Sequence, residues 1–187
     1  MITVQVTISG ISPLLMHRFG EQSELEAESR SVKVASLTPA QAAERTAYRD
    51  PSGNLYIPGA AIGRLLREAG GSHKQRGTRK SLKYIVPAAV IVPDEIIGLH
   101  DESGTPLARV EVDSRPVVIP STKGRIMRHR ARIEKWQASL NLEIDDEVLD
   151  PETIRQLLEE GGRRIGLLDY RPEKGGPYGR FAIVLWQ

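Results

Sequence analysis

Residues 166–181 read GLLDYRPEKGGPYGRF and run straight into the apolar FAIVLWQ of residues 181–187. Ahead of them, Ile154, Leu157, Leu158 and Ile165 recur at helical spacing. Asp150 reads as the N-cap of that helix, Pro151 sits in its first turn, and Glu152 lies at the positive end of its dipole. The chain therefore ends as helix, glycine-rich connection and strand, and the strand's apolar residues on both faces suit a central place in a sheet. In the connection, Gly175, Gly176 and Gly179 permit positive φ and the close approach of a chain or ligand. Arg171, Lys174 and Arg180 surround them, and backbone amides in such a loop can cradle phosphate. Tyr170 and Tyr178 offer ring faces for a stacked base. An ordinary helix-to-strand turn explains the same glycines equally well, so the rest of the chain has to separate the two readings.

At the other end, Ile2, Val4, Val6 and Ile8 alternate with Thr3, Gln5, Thr7 and Ser9, a half-buried strand with a polar outer face. Residues 20–37 are polar and small without a core-forming period, and read as a mobile insertion. Thr38-Pro39 opens a short helix. After a short strand over 55–57, Ile62, Leu65, Leu66 and Ala69 mark a helix that Gly70-Gly71 ends. Residues 84–92 read as a strand with an irregularity at Pro87, 101–105 as a turn, and 107–144 as successive strands. The order β-α-β-β-α-β spells one α+β domain over 1–187, a ferredoxin-like (RRM-like) core with an antiparallel sheet and both helices on one face.

In the strand region, Ala108, Val110 and Val112 alternate with Arg109, Glu111 and Asp113. After a turn at 120–124, Ile126, Arg128, Arg130 and Arg132 share one strand face and Met127, His129, Ala131 and Ile133 the other. The apolar Trp136, Leu140, Leu142 and Ile144 have the same parity as the arginines, so the chain must either bulge near Glu134 and Lys135 or leave the sheet there, and the latter is expected. Residues 113–136 are thus expected to form a basic hairpin protruding from a packed base. Strand residues two apart stand roughly 6.6–6.8 Å apart, comparable to the phosphate step of an extended single strand. Arg128, Arg130 and Arg132 would each meet a phosphate, with Arg115, Lys123 and Arg125 nearby. Seven basic residues against one acid between Arg115 and Lys135 favour this over a solvated face that merely resists aggregation. Lys74, Arg76, Arg79, Lys80 and Lys83 form a second basic cluster, just beyond a helix end.

Other chemistries find little support. There is no cysteine, which excludes disulfides, thiolate metal sites and cysteine nucleophiles. The four histidines (His17, His73, His100, His129) have no metal-ligand spacing, and no phosphate loop or dinucleotide fingerprint is present, so neither metal nor cofactor is expected. His17 is the one weak catalytic candidate, as a general base for metal-free RNA cleavage. Asp50 and Asp169 read as turn formers. A net charge of +2 is uninformative taken globally. The alternating N-terminus is not a signal peptide and no apolar run approaches the roughly 20 residues of a membrane span, so a cytoplasmic protein without membrane contact is expected.

Two segments, LYIPGAAIGRLLREAG at 55–70 and RRIGLLDYRPEKGGPYGRFAIV at 163–184, resemble the start of the first helix and the glycine-rich loop of the RAMP superfamily, the backbone and processing subunits of CRISPR effector complexes. The sequence is also similar to small solitary relatives found in phages and prophages. The resemblance implies an RRM-like fold, binding of single-stranded RNA or DNA, side-by-side assembly into a helical homo-oligomer or with other CRISPR-type subunits, and a protruding hairpin. ISPLLMHRF at 11–19 lacks the glycine pair common in that family. Two further readings stay open: a metal-independent endoribonuclease using His17, and an adaptor or inhibitor that binds a CRISPR complex.

Overall fold

A computed structural model describes residues 1–18, 37–118 and 121–187. The insertion expected at 20–37 lies outside the described residues except for Leu37. Alternating apolar residues make β1 (Ile2–Gly10), whose Val4, Val6 and Ile8 are buried while Thr3 and Gln5 stay exposed. It is followed by β2 (Leu14–Met16), α1 (Pro39–Arg45), β3 (Tyr56–Pro58) and α2 (Gly59–Ala69). A capping box at Thr38 starts α1: its hydroxyl accepts from the Gln41 amide while the Gln41 side chain accepts from the Thr38 amide. Next come α3 (Val86–Ala89), β4 (Val90–Ile91), β5 (Ile96–His100), β6 (Glu111–Val118), β7 (Arg125–Ile133) and β8 (Gln137–Ile144). The chain closes with α4 (Pro151–Arg164) and β9 (Phe181–Trp186).

The main sheet has the order β3-β5-β8-β1-β9, with β4 also paired to β8, and its pairings are antiparallel. Reading β1-α2-β5-β8-α4-β9 along the chain gives the ferredoxin-like βαββαβ core. Ile62, Leu65 and Leu66 of α2 and Ile154, Leu157 and Leu158 of α4 pack with Val6, Ile8, Leu140 and Leu142 in one buried cluster. The opposite sheet face is polar: the Thr7 and Ser139 hydroxyls lie 2.9 Å apart, and His100 Nε2 lies 3.2 Å from the Ser139 hydroxyl.

The parity conflict resolves as a change of sheet. β7 belongs to a second sheet, β2-β7-β6, and the chain crosses at Glu134 and Lys135 to enter the main sheet as β8. Trp136 is buried at this corner, its indole donating to the Ser12 carbonyl at 3.0 Å. A side chain at Gly10 would overlap that ring. Since β2 pairs only with residues 131–133 of β7, the rest of the β6–β7 hairpin is two-stranded.

Several expectations need correction. Residues 84–92 are not one strand: Leu82–Tyr84 is a 3₁₀ turn, Val86–Ala89 is helical, and only Val90–Ile91 pairs. The buried residues Leu82, Val86, Ala89 and Val90 fall at helical spacing, hidden in a short apolar run. β9 is an edge strand, with Phe181 buried but Ala182 and Val184 exposed. Asp150 caps α4 without a side-chain hydrogen bond. In β6 the expected faces are inverted, with Asp113 buried and Val112 exposed.

The fit of α4 on β9 is close, since a Cβ at Gly162 would stand 2.5 Å from the Phe181 carbonyl oxygen. Helix propensity favours alanine over glycine by roughly 1 kcal/mol, so a net loss of stability is diagnostic. Gly162→Ala is expected to lower stability by about 1–2 kcal/mol in urea unfolding. An unchanged or raised midpoint would contradict the packing.

Candidate nucleic-acid interface

The glycine-rich connection closes on itself. Leu167 donates to the Gly179 carbonyl at 2.9 Å, Gly179 to Pro13 at 2.8 Å, and Asp169 to Leu15 at 3.0 Å, which ties the loop to the chain beside β2. A side chain at Gly176 would overlap the Tyr170 carbonyl, and one at Gly179 the Leu167 carbonyl. Both glycines are buried, so their small size serves the loop's own backbone rather than a ligand. Gly175, at φ 77° with open space beside it, is the exposed exception.

Against this loop lies the arginine face of the hairpin. Register sets Arg115 opposite Arg128, Asp113 opposite Arg130 and Glu111 opposite Arg132. The Arg115 Nε donates to both Asp113 carboxylate oxygens at 3.0 and 2.9 Å, and the Tyr178 hydroxyl donates to Asp113 Oδ1 at 3.1 Å. The Arg115 guanidinium also bonds the Tyr178 hydroxyl and stands 4.8 Å from the Tyr178 ring centre and 5.6 Å from that of Tyr170. Tyr178 is 5% exposed, so its ring is closed to a base, while Tyr170 is 37% exposed. Burial, then the neighbouring Asp113 charge, pushes the Tyr178 hydroxyl pKa up.

Arg130, with 13% of its side chain exposed, places Nε 2.9 Å from Asp169 Oδ2. His17 Nδ1 lies 3.6 Å from the same oxygen. Burial opposes ionisation of Asp169, but His17 and the Arg130 charge outweigh it and hold the carboxyl below its ordinary value. Asp169 is therefore the hub of an ion cluster, not only a turn former, and it sits between two non-glycine residues of positive φ, Leu168 at 57° and Tyr170 at 45°. Asp50 does form a turn, accepting from the Ser52 and Asn54 amides. His17, Tyr48, Leu168, Asp169 and Arg171 line a cavity of about 400 Å³.

The candidate cations thus separate into two groups. Arg115 and Arg130 are paired as described, Arg132 pairs with Glu111 at 3.3 Å and with Glu134, and Lys83 with Glu68 at 2.9 Å. Arg171 is bound to Glu173, which also takes Arg64 at 2.9 Å. Lys123, Arg125 and Arg128 at the hairpin's outer end are exposed and have no ionic partner among the described residues. The same holds for Lys74, Arg76, Arg79 and Lys80, and for Lys174 and Arg180. Among the described residues the open sheet face offers no such cations: Thr3, Gln5, Ser139 and Asn141 are exposed there, and Asp94 accepts from the Asn141 amide at 3.0 Å. Sequence reading missed the structural part of Asp113, whose alternation with Val112 pointed the wrong way, and missed the exposure of Tyr84.

No protein-family profile matches the chain, and none of the curated proteins matches it in sequence. The crystal structure of Cmr6 from Pyrococcus furiosus is similar over 97% of this chain and 97% of its own, at 13% sequence identity and a TM-score of 0.44. That is a distant likeness of fold. Among the described residues no helix is long and apolar enough to cross a membrane, and no group of histidine and carboxylate side chains is arranged to hold a metal.

The Asp169 cluster has a pH signature. A carboxyl whose folded pKa is depressed adds stability above its unfolded value, about 4, and loses it as pH falls through the lower folded value. Unfolding free energy is expected to fall more steeply across that acid range in the wild-type protein than in Asp169→Asn. Parallel acid limbs in urea titrations would show that the cluster contributes nothing.

Proposed function

We propose that the chain binds single-stranded nucleic acid through the cations at the hairpin's outer end, Lys123, Arg125 and Arg128, and through the 74–80 cluster. The observation that carries this reading is the exposure of these seven side chains without ionic partners among the described residues. Surface cations that lack carboxylates concentrate positive potential, and a polyanion gains by releasing its counterions to meet them. Tyr170, beside Arg115 of the hairpin, is also exposed, as are Lys174, Gly175 and Arg180. Arg115, Arg130 and Arg132 take a different part, holding the hairpin in place.

In this reading several copies, or other CRISPR-type subunits, stand side by side along one strand, as the RAMP resemblance of residues 55–70 and 163–184 implies. The exposed apolar residues Val112, Val118 and Met127 of the hairpin and the outer edge of β9, which pairs with no strand among the described residues, suit burial between subunits.

Binding should weaken linearly in log–log salt titrations, and Arg125→Ala/Arg128→Ala should flatten the slope by about 1.4, roughly 0.7 per lost phosphate contact on a single strand. A salt-independent affinity, or none for naked strands alongside a stable protein complex, would favour the adaptor reading instead.

A second reading rests on the His17–Asp169 pair at the 400 Å³ cavity. With Nδ1 directed to Asp169, Nε2 would take the proton of an RNA 2′-hydroxyl. O2′ would attack the adjacent phosphorus, and the P–O5′ bond would break as O5′ takes a proton from water. Cleavage in EDTA, leaving a 2′,3′-cyclic phosphate and lost in His17→Ala, is the outcome this reading requires. An intact RNA would remove it.

A further inference from the structure

We infer that residues 73–84 form a preorganised unit that reads an unpaired base as well as phosphates, with Tyr84 as the stacking platform. This rests on the nucleic-acid reading above and adds a residue and a substrate class to it.

The unit is rigid. Lys74 bridges to Ser81, Gln75 donates to the Lys80 carbonyl at 2.9 Å, Thr78 to Gln75 at 3.0 Å, and Leu82 to His73 at 2.9 Å, with Gly77 at φ 76° in the turn. Three attachments hold it to the two core helices. Leu82 is buried, Lys83 Nζ stands 2.9 Å from Glu68 on α2, and His73 Nε2 stands 3.0 Å from Glu160 on α4. Gly70 permits the close approach, since a Cβ there would lie 2.9 Å from the Leu82 carbonyl carbon and the Lys83 nitrogen.

On this fixed base Tyr84 is 80% exposed, against 37% for Tyr170 and 5% for Tyr178. Among the described residues its side chain has no hydrogen-bonding or ring partner. The helical spacing that buries Leu82, Val86 and Ala89 turns the ring outward. Burying a rigid aromatic face on a base removes apolar surface from water at small conformational cost. Lys74, Arg76, Arg79 and Lys80 stand in the short hairpin that leads into the turn carrying Tyr84, to meet the flanking phosphates. Between 74 and 81, KQRGTRKS offers no apolar side chain on which a peptide could settle, which favours a nucleic acid over an acidic protein segment. A duplex keeps its base faces stacked inside, so the unit selects single strands.

The test compares wild-type, Tyr84→Phe and Tyr84→Ala proteins by fluorescence anisotropy against an oligothymidylate and an equally long, wholly abasic oligonucleotide. Wild-type and Tyr84→Phe should prefer the base-bearing strand by about tenfold, and Tyr84→Ala should lose that preference. Its affinity for the abasic strand should be unchanged, which separates lost stacking from misfolding. Equal wild-type binding to both strands, or a preference surviving in Tyr84→Ala, would overturn the inference while leaving electrostatic binding intact. Competition by polyglutamate as effective as that of the oligonucleotide would assign the hairpin to acidic proteins and overturn it too. Failure of the wild-type protein to bind either strand would remove the underlying reading itself.

Discussion

Two carboxylates, Asp113 buried and Asp169 partly buried, bolt the glycine-rich connection to the hairpin. Asp113 lies between Arg115 and the Tyr178 hydroxyl, and Asp169 between Arg130 and His17. A carboxylate withdrawn from water needs charge and hydrogen bonds in return, so each acid requires its partners to arrive together. Asp113 of β6 meets Tyr178 of the connection after α4, and Asp169 of that connection meets Arg130 of β7, which couples the second sheet to the ferredoxin-like core. The backbone on either side of Asp169 takes positive φ without glycine, and Gly176 and Gly179 let the loop fold against itself beneath the tyrosines.

This coupling divides the basic residues by task. Charges in the lower rungs of the hairpin are neutralised in building the molecule. Those at its outer end and in the 74–80 hairpin keep their charge in solvent. A chain whose net charge is only +2 can in this way present localised positive surfaces while its open sheet face stays neutral to acidic. Among the described residues the sheet face also lacks the exposed aromatic side chains with which an RRM stacks bases.

Much of the core was legible because burial imposes a period. Ile62, Leu65, Leu66 and Ala69 could only form a helical stripe, and Val4, Val6 and Ile8 a strand face. Parity required an interruption near Glu134 and Lys135, which a bulge or a change of sheet would supply, and the structure takes the change of sheet. Residues 84–92 defeated the same approach, since a short apolar run does not separate a helical turn from a strand. β9 was misplaced because apolar residues on both faces do not reveal whether a second neighbour exists. The site was less legible still. Arg130 meets Asp169 across 39 positions of chain (169 minus 130), and the pairing depends on loop geometry that charge counting cannot supply. Tyr84 and Tyr178 differ in exposure and in partners, and both are tertiary properties.

Amide chemical-shift mapping during titration with a single-stranded oligonucleotide tests the central claim most directly. The account requires the perturbed amides to cluster at residues 74–84 and 123–128, with Thr7, Ser139 and Asn141 undisturbed. Perturbations centred on that sheet face, with both hairpins silent, would contradict it.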